Sequence, residues 1–292
     1  MPGRFGGAGD EAAIASIDGQ GHQDAEAARQ RAHPAQSDAQ HPHMKNQYFG
    51  DVNDYRKYGL LRALVASGDL RLLVAWMLTP DDGSSDGRHR SHLAANSPMA
   101  RHDPELHAGL LELLRDGVRP EVALIERSTL LPAATYFSDI VPDEKAAREA
   151  WRCRLFSAAD RADLVFLDPD NGIEIASKPV GRKGSSKYVT WAEIGELGRR
   201  GKSLLIYQHF PRKPRDVFAC DLAARLRTWT GSSSVKAFGT AQVLFLLAVH
   251  ANHEHHLGRF STRAIEMWQD QIHTIRTARE PSQEALPSAT DD

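Results

Sequence analysis

"ADLVFLDPDNGIE" (residues 162–174) drives an apolar run, Leu164 to Leu167, straight into Asp168-Pro169-Asp170-Asn171-Gly172, with Glu174 just beyond. A short continuous apolar run that ends in turn residues reads as a strand buried on both faces. Pro169 fixes φ and lacks a donor, so it ends the ladder and leaves Asp168 at the tip. Asn171-Gly172 favours a turn with positive φ. Acids at the mouth of a core strand are costly unless something binds them. Asp168, Asp170 and Asn171 are therefore candidate site residues. An acid and an amide there could accept from an exocyclic amine and donate to a ring nitrogen. With Glu174 they could equally hold Mg²⁺ or Mn²⁺ through oxygens.

Outward from this strand, helical and strand patterns alternate. Tyr55, Tyr58, Leu61, Leu64 and Val65 fall at helical spacing, with Asp54 as N-cap and Gly68 as stop. Residues 71–79 read as a buried strand, 103–117 as a helix capped by Asp103, 121–128 as a short strand and 143–160 as a helix. A helix over 190–201 starts at Thr190, with Glu193 three residues on as in a capping box. A strand over 202–210, a helix over 216–231, two strands in "SVKAFGT" and "AQVLFLLAVH", and a helix over 262–275 complete the series. Strands alternating with helices imply an α/β fold: a doubly wound, mostly parallel, Rossmann-like sheet. The two closing strands add a C-terminal antiparallel hairpin. Residues 1–43 hold only Phe5, Ile14 and Ile17 as large apolar residues and are expected to be a disordered, dispensable tail. Residues 44–275 then form one domain and 276–292 a second tail.

Bulk properties narrow the classes. The 292 residues are 41% hydrophobic and 25% charged with a net charge of −2, so no global basic field exists. Any nucleic-acid contact must rest on local runs such as 199–202 (RRGK) and 212–215 (RKPR). Two cysteines support neither a disulfide framework nor a zinc quartet, which fits a cytoplasmic protein. No apolar run approaches the roughly 18 residues of a membrane span. His250, His253, His255 and His256 are too irregularly spaced for a zinc site and read as a loop.

In an open α/β sheet, ligands sit outside the carboxyl ends of the strands. Three strand ends here are polar. The first carries Asp81, Asp82, Gly83, Asp86, Gly87 and His89, the second is the opening stretch, and the third carries Gln208, His209 and Arg212. The first loop is neither GxGxxG nor a P-loop, and its acids suit a cationic group, a ribose diol or a metal rather than phosphates.

Together "KNQYFGDVNDYRKYGLLRAL", "TPDDGSSDGRH", "FLDPDNGIE" and "SLLIYQHF" resemble a family of bacterial and phage proteins over about residues 44–275. More distantly, the layout is similar to class I methyltransferases of the 23S ribosomal RNA adenine-N6 type. That resemblance implies S-adenosylmethionine as cofactor, with Lys57 and Tyr58 on the first helix and Asp81, Asp82, Gly83, Asp86 and His89 in the first strand-end loop as its binding residues. It makes Asp168 the acceptor for a target amine. Asp170 and Asn171 stand where those enzymes carry a second proline and an aromatic, so a ring for a flipped base would have to come from Phe210 or Tyr207. The expected activity is methyl transfer to a nucleic-acid base, with Asp168, Asp170, Asn171 and His209 at the reacting centre and Phe210 and Arg212 on the substrate. The alternatives are a metal-dependent nuclease or phosphohydrolase built on Asp168, Asp170 and Glu174, with His89 or His209 as base, and a non-catalytic binding protein of the same fold.

Overall fold

The computed structural model describes residues 46, 48–79, 90–94, 96–115, 118–268 and 270–277. The expected tail over 1–43 lies outside these residues, as do the chain beyond 277 and the acidic loop with Asp81, Asp82, Gly83, Asp86 and His89.

In chain order the elements are α1 (Val52–Leu64), β1 (Leu72–Ala75), α2 (Pro104–Leu113), α3 (Ala123–Glu126), β2 (Ala134–Phe137) and α4 (Lys145–Ala159). Next come β3 (Leu164–Leu167), β4 (Gly172–Ile173), β5 (Tyr188–Val189), α5 (Trp191–Arg199), β6 (Ser203–His209) and α6 (Arg215–Thr230). The chain closes with β7 (Ser234–Gly239), β8 (Val243–Val249), α7 (Glu254–Trp268) and β9 (His273–Ile275). Seven strands form one sheet in the order β2-β1-β3-β6-β8-β7-β9, while β4 and β5 make a small parallel ribbon. β2, β1, β3 and β6 are parallel, and β8 inserts antiparallel between β6 and β7. This is the expected Rossmann-like sheet with its closing hairpin.

The period-2 geometry of the strands sorts their apolar residues into two cores. Leu72, Val74, Leu164, Phe166, Leu205 and Tyr207 pack with residues of α1, α2 and α7. Leu73, Ala75, Val165, Leu167, Leu204 and Ile206 pack with α4, α5 and α6. Both faces are covered, which is why the central strands read as unbroken apolar runs.

Local chemistry explains the boundaries. The Thr190 side chain accepts from the Glu193 amide and the Glu193 carboxylate accepts from the Thr190 amide, so the expected capping box opens α5. Arg148 fixes the same carboxylate through two buried bonds of 2.7 and 2.8 Å.

Four expectations are corrected. The N-cap of α1 is Asp51, whose carboxylate accepts from the Asn53 and Asp54 amides; Asp54 stands inside the first turn. Residues 121–128 are not a strand: Val122 and Ile125 are the buried pair, three apart, and the segment forms the short helix α3. The strand beside β1 is instead "ATYF" at 134–137, half-exposed at the sheet edge and so without an apolar run. The final helix is α7, which begins within the histidine-rich stretch because its buried stripe of Leu257, Ser261, Ala264 and Trp268 starts there; residues 273–275 are the edge strand β9.

Candidate functional site

Parallel pairing of β1, β3 and β6 brings their carboxyl ends to one edge of the sheet. Asp168 is the next residue after β3. It shares the parity of Leu164 and Phe166 and so turns toward the α1 face, while its amide still donates to Ala75 O in the ladder. Its carboxylate is fully buried and meets Lys57 of α1, with Nζ to Oδ2 at 3.0 Å. The same ammonium donates to Asp54 Oδ1 at 2.8 Å and stands 5.1 Å from the centroid of the Tyr207 ring. Asp54 is itself held by the Tyr58 hydroxyl at 3.1 Å and the Gly50 amide at 3.0 Å. One helical turn, Asp54-Lys57-Tyr58, thus binds the tip of a strand 111 residues away.

The electrostatics follow from burial. Burial pulls the Lys57 ammonium down, but the Asp168 and Asp54 carboxylates outweigh it and hold the group above the usual lysine range. Burial, with the Asp54 charge beside it, pushes the Asp51 carboxyl up to about 6. The Tyr58 and Tyr207 phenols are raised, first by burial and then by the neighbouring carboxylates, with Lys57 opposing the shift at Tyr207. Tyr58 is fully buried, so it acts by fixing Asp54 and presents no surface to a ligand.

Beyond Asp168 the chain turns. The Asp170 carboxylate accepts from Thr79 Oγ1 at 2.6 Å, at the end of the segment that follows β1. Gly172 takes φ +116°, and a Cβ there would lie 2.3 Å from Gln208 Oε1. This close approach lets the Gln208 side chain bridge the turn. Its Oε1 accepts from the Ile173 amide at 2.8 Å, and its Nε2 donates to Asn171 O at 3.2 Å and His209 O at 2.8 Å. Glu174 accepts from the Trp191 amide at 2.8 Å, a carboxylate at the first turn of α5. Asp168, Asp170 and Glu174 therefore go to three separate partners. Among the described residues no three His, Cys, Asp or Glu side chains come together as a metal site.

Past the turn a cleft of about 770 Å³ opens on the face of α5 and α6. Ile173 and Glu174 lie on its floor beside Asn171, His209 and Phe210, and Tyr188, Trp191, Phe218 and Arg225 supply walls. Asn171, His209 and Phe210 are thus brought together at the cleft, although the His209 ring turns onto the Tyr207 ring, 5.2 Å between centroids, on the side of the Lys57–Asp168 pair. Arg212 is exposed between two lining residues, Pro211 and Lys213, without lining the cleft itself. Tyr188, Trp191 and Arg225 escaped sequence reasoning because they come from a ribbon and two helices that meet only in three dimensions. Glu126, on α3, accepts from the Trp76 indole at 2.7 Å and from the Ser138 hydroxyl, and so ties β1 to the end of β2.

The fold and this edge define a Rossmann-like α/β protein with a buried ion-pair cluster and an open aromatic cleft at the carboxyl ends of its strands. No family model matches the chain, and no curated protein matches it at a significant level. Among the described residues no helix is long and apolar enough to cross a membrane.

Proposed function

We propose that the protein is an S-adenosylmethionine-dependent methyltransferase acting on a nucleic-acid base. The observation that carries the reading is the ion pair between Lys57 and Asp168. The first helix and the tip of the central strand are the two places where the resemblance expects cofactor and catalytic residues, and the 3.0 Å contact supports that pairing of roles. The donor set fits the cofactor: Asp51, Asp54, Asp168 and Asp170 make this edge acidic, which suits a sulfonium and a ribose diol and opposes a bare phosphate.

When bound, S-adenosylmethionine would supply a methyl group on a cationic sulfur. The chain's own part is to bind and orient. Asp168, buried here against Lys57, would accept an N–H of the target amine only once that strand tip is opened, and would then aim its lone pair, a contribution of proximity and orientation. Lys57 pairs with that carboxylate at 3.0 Å and fixes its rotamer. The cleft excludes water from the base. Metal-dependent hydrolysis, the alternative, would require Asp168, Asp170 and Glu174 to leave their present partners.

Titration calorimetry of the full chain with S-adenosylmethionine and S-adenosylhomocysteine tests the reading. Binding is expected, with loss of methyl transfer to nucleic acid but retained heat in Asp168→Asn. Absence of heat at millimolar ligand overturns it.

A further inference from the structure

The cleft is bordered by two segments that carry cations and no acids. Residues 175–187 hold Lys178, Arg182, Lys183 and Lys187, and residues 208–215 hold Arg212, Lys213 and Arg215, in a chain whose net charge is −2. Ile175, Ala176 and Pro179 from the first segment and Pro211 and Lys213 from the second line the cleft, so both segments contribute to its rim. Arg182, Lys183, Arg212 and Lys213 are exposed, and none has an ion-pair partner among the described residues. At the other edge of the sheet three arginines are paired: Arg71 with Asp163, Arg199 with Glu196, and Arg200 with Asp160 and Glu196.

The first rim segment is built rather than loose. The Asp143 carboxylate accepts from the Gly184 amide at 2.7 Å, the Ser186 amide at 2.6 Å and the Ser185 hydroxyl at 3.2 Å, and Asp143 O accepts from the Gly181 amide. Those bonds, working against burial, hold Asp143 below the usual carboxylate range, and the loop they fix leaves Arg182 and Lys183 exposed.

Inside the cleft, two features lack partners. The Asn171 carboxamide has no hydrogen bond among the described residues; only its backbone is engaged. The indole Nε1 of Trp191, a residue 4% exposed, also finds no acceptor there. Trp191 is faced by Arg225 at 4.4 Å, and Phe210 by Arg215 at 4.8 Å, so the walls are rings already stacked by guanidinium groups.

The geometry points to a single-stranded nucleic-acid segment as occupant, with its phosphates on the two rim segments and one base in the cleft, where Asn171 reads an edge of that base. The exposed cations Arg182, Lys183, Arg212 and Lys213 match a phosphate backbone. Aromatic walls need an exposed base face, which a strand offers and a closed duplex does not. A carboxamide can pair both a donor and an acceptor on a base edge. This deepens the proposed function and rests on it for the chemistry, though not for the binding.

Fluorescence anisotropy of the full chain with labelled single-stranded RNA and DNA of about 12 nucleotides, and with the matching duplex, tests it across a salt series. Both single strands should bind, more tightly than the duplex, and the RNA-to-DNA ratio identifies the natural strand. Arg182→Glu with Lys183→Glu, and separately Arg212→Glu with Lys213→Glu, should each weaken binding at least about tenfold and flatten the salt dependence. Phe210→Ala should weaken it by roughly 5- to 150-fold and leave the salt slope unchanged. Arg199→Glu, at the opposite edge, should change nothing. Failure of the wild-type chain to bind either strand at low salt overturns the proposal, as do rim variants that bind like wild type. Calorimetry with S-adenosylhomocysteine on the same sample separates the readings: heat without strand binding overturns only this one, and strand binding without heat overturns only the proposed function.

Discussion

Replacing Lys57 by Met removes the one ammonium that Asp54 and Asp168 share. At 2.8 and 3.0 Å, an effective dielectric near 20 gives about 5–6 kcal/mol of attraction per contact before desolvation is subtracted. Methionine fills similar space, so the cavity term is small. What remains is two buried carboxylates without their counter-ion, and breaking such a pair costs about 3–5 kcal/mol. The deficit should also depend on pH. Burial without a counter-ion favours the neutral form of a carboxyl, so in the variant the protonated form is expected to be the stabilised one. Stability is then regained as pH falls, by up to about 1.4 kcal/mol per unit, and lost as pH rises through the raised values. Urea unfolding followed by tryptophan fluorescence at about pH 7.5 and about pH 5 measures both effects. Adding Asp168→Asn should restore part of the loss, giving a favourable coupling in a double-mutant cycle. A deficit below about 1 kcal/mol near neutrality, or one identical at both pH values, would refute the claim that this pair is a buried ionic lock.

Gly172→Ala puts a Cβ 2.3 Å from Gln208 Oε1 at φ +116°, so it should cost roughly 2–3 kcal/mol and lower the melting temperature by about 4–12 °C; an unchanged melt would mean the turn can relax freely. Asp51, pushed up to about 6, takes up its proton in the folded state, so its contribution is present at low pH and is lost as pH rises from about 4 to about 6; Asp51→Asn, which keeps the cap, should flatten stability across that window, and a slope like the wild type's would refute the assignment. Asp143→Ala frees the Gly184 and Ser186 amides, so hydrogen exchange in residues 178–188 should quicken at least about tenfold while the sheet is unaffected.

The parts of the fold that could be read from sequence are the ones set locally. β3 was legible because its unbroken apolar run ends at the Asp168-Pro169 break, as a strand covered on both faces does, and α5 because Thr190 and Glu193 lie three apart in a self-contained cap. β2 was not, since an edge strand of four half-exposed residues has no run to notice and the more apolar Val122–Ile125 stretch competed for the assignment. In the site, Asp168 was legible from the Pro169 break. Its partner Lys57 had no local signal, because 111 residues separate them, and only the resemblance pointed to it. The cap of α1 was misread because Asp51 and Asp54 both satisfy the composition rule; what decides between them is that Tyr58 and Lys57 claim the Asp54 carboxylate.

The acids at the end of β3 are each accounted for: Asp168 by Lys57, Asp170 by Thr79, Glu174 by the first amide of α5. These contacts divide the strand end between two faces. Asp168 keeps the parity of Phe166 and enters the ionic cluster under α1, while the Gly172 turn re-aims the chain so that Asn171, Ile173 and Glu174 border the cleft on the other side. Within seven residues a buried charge lock passes into an open aromatic site, so a base in the cleft would meet Asp168 only at the boundary between them. A ring at position 171 would stack on such a base; a carboxamide instead reads its edge. The stacking must then come from Phe210, since Trp191 is covered by Arg225 and Trp229, and selectivity from Asn171, so Asn171→Ala should relax base preference more than it weakens strand binding.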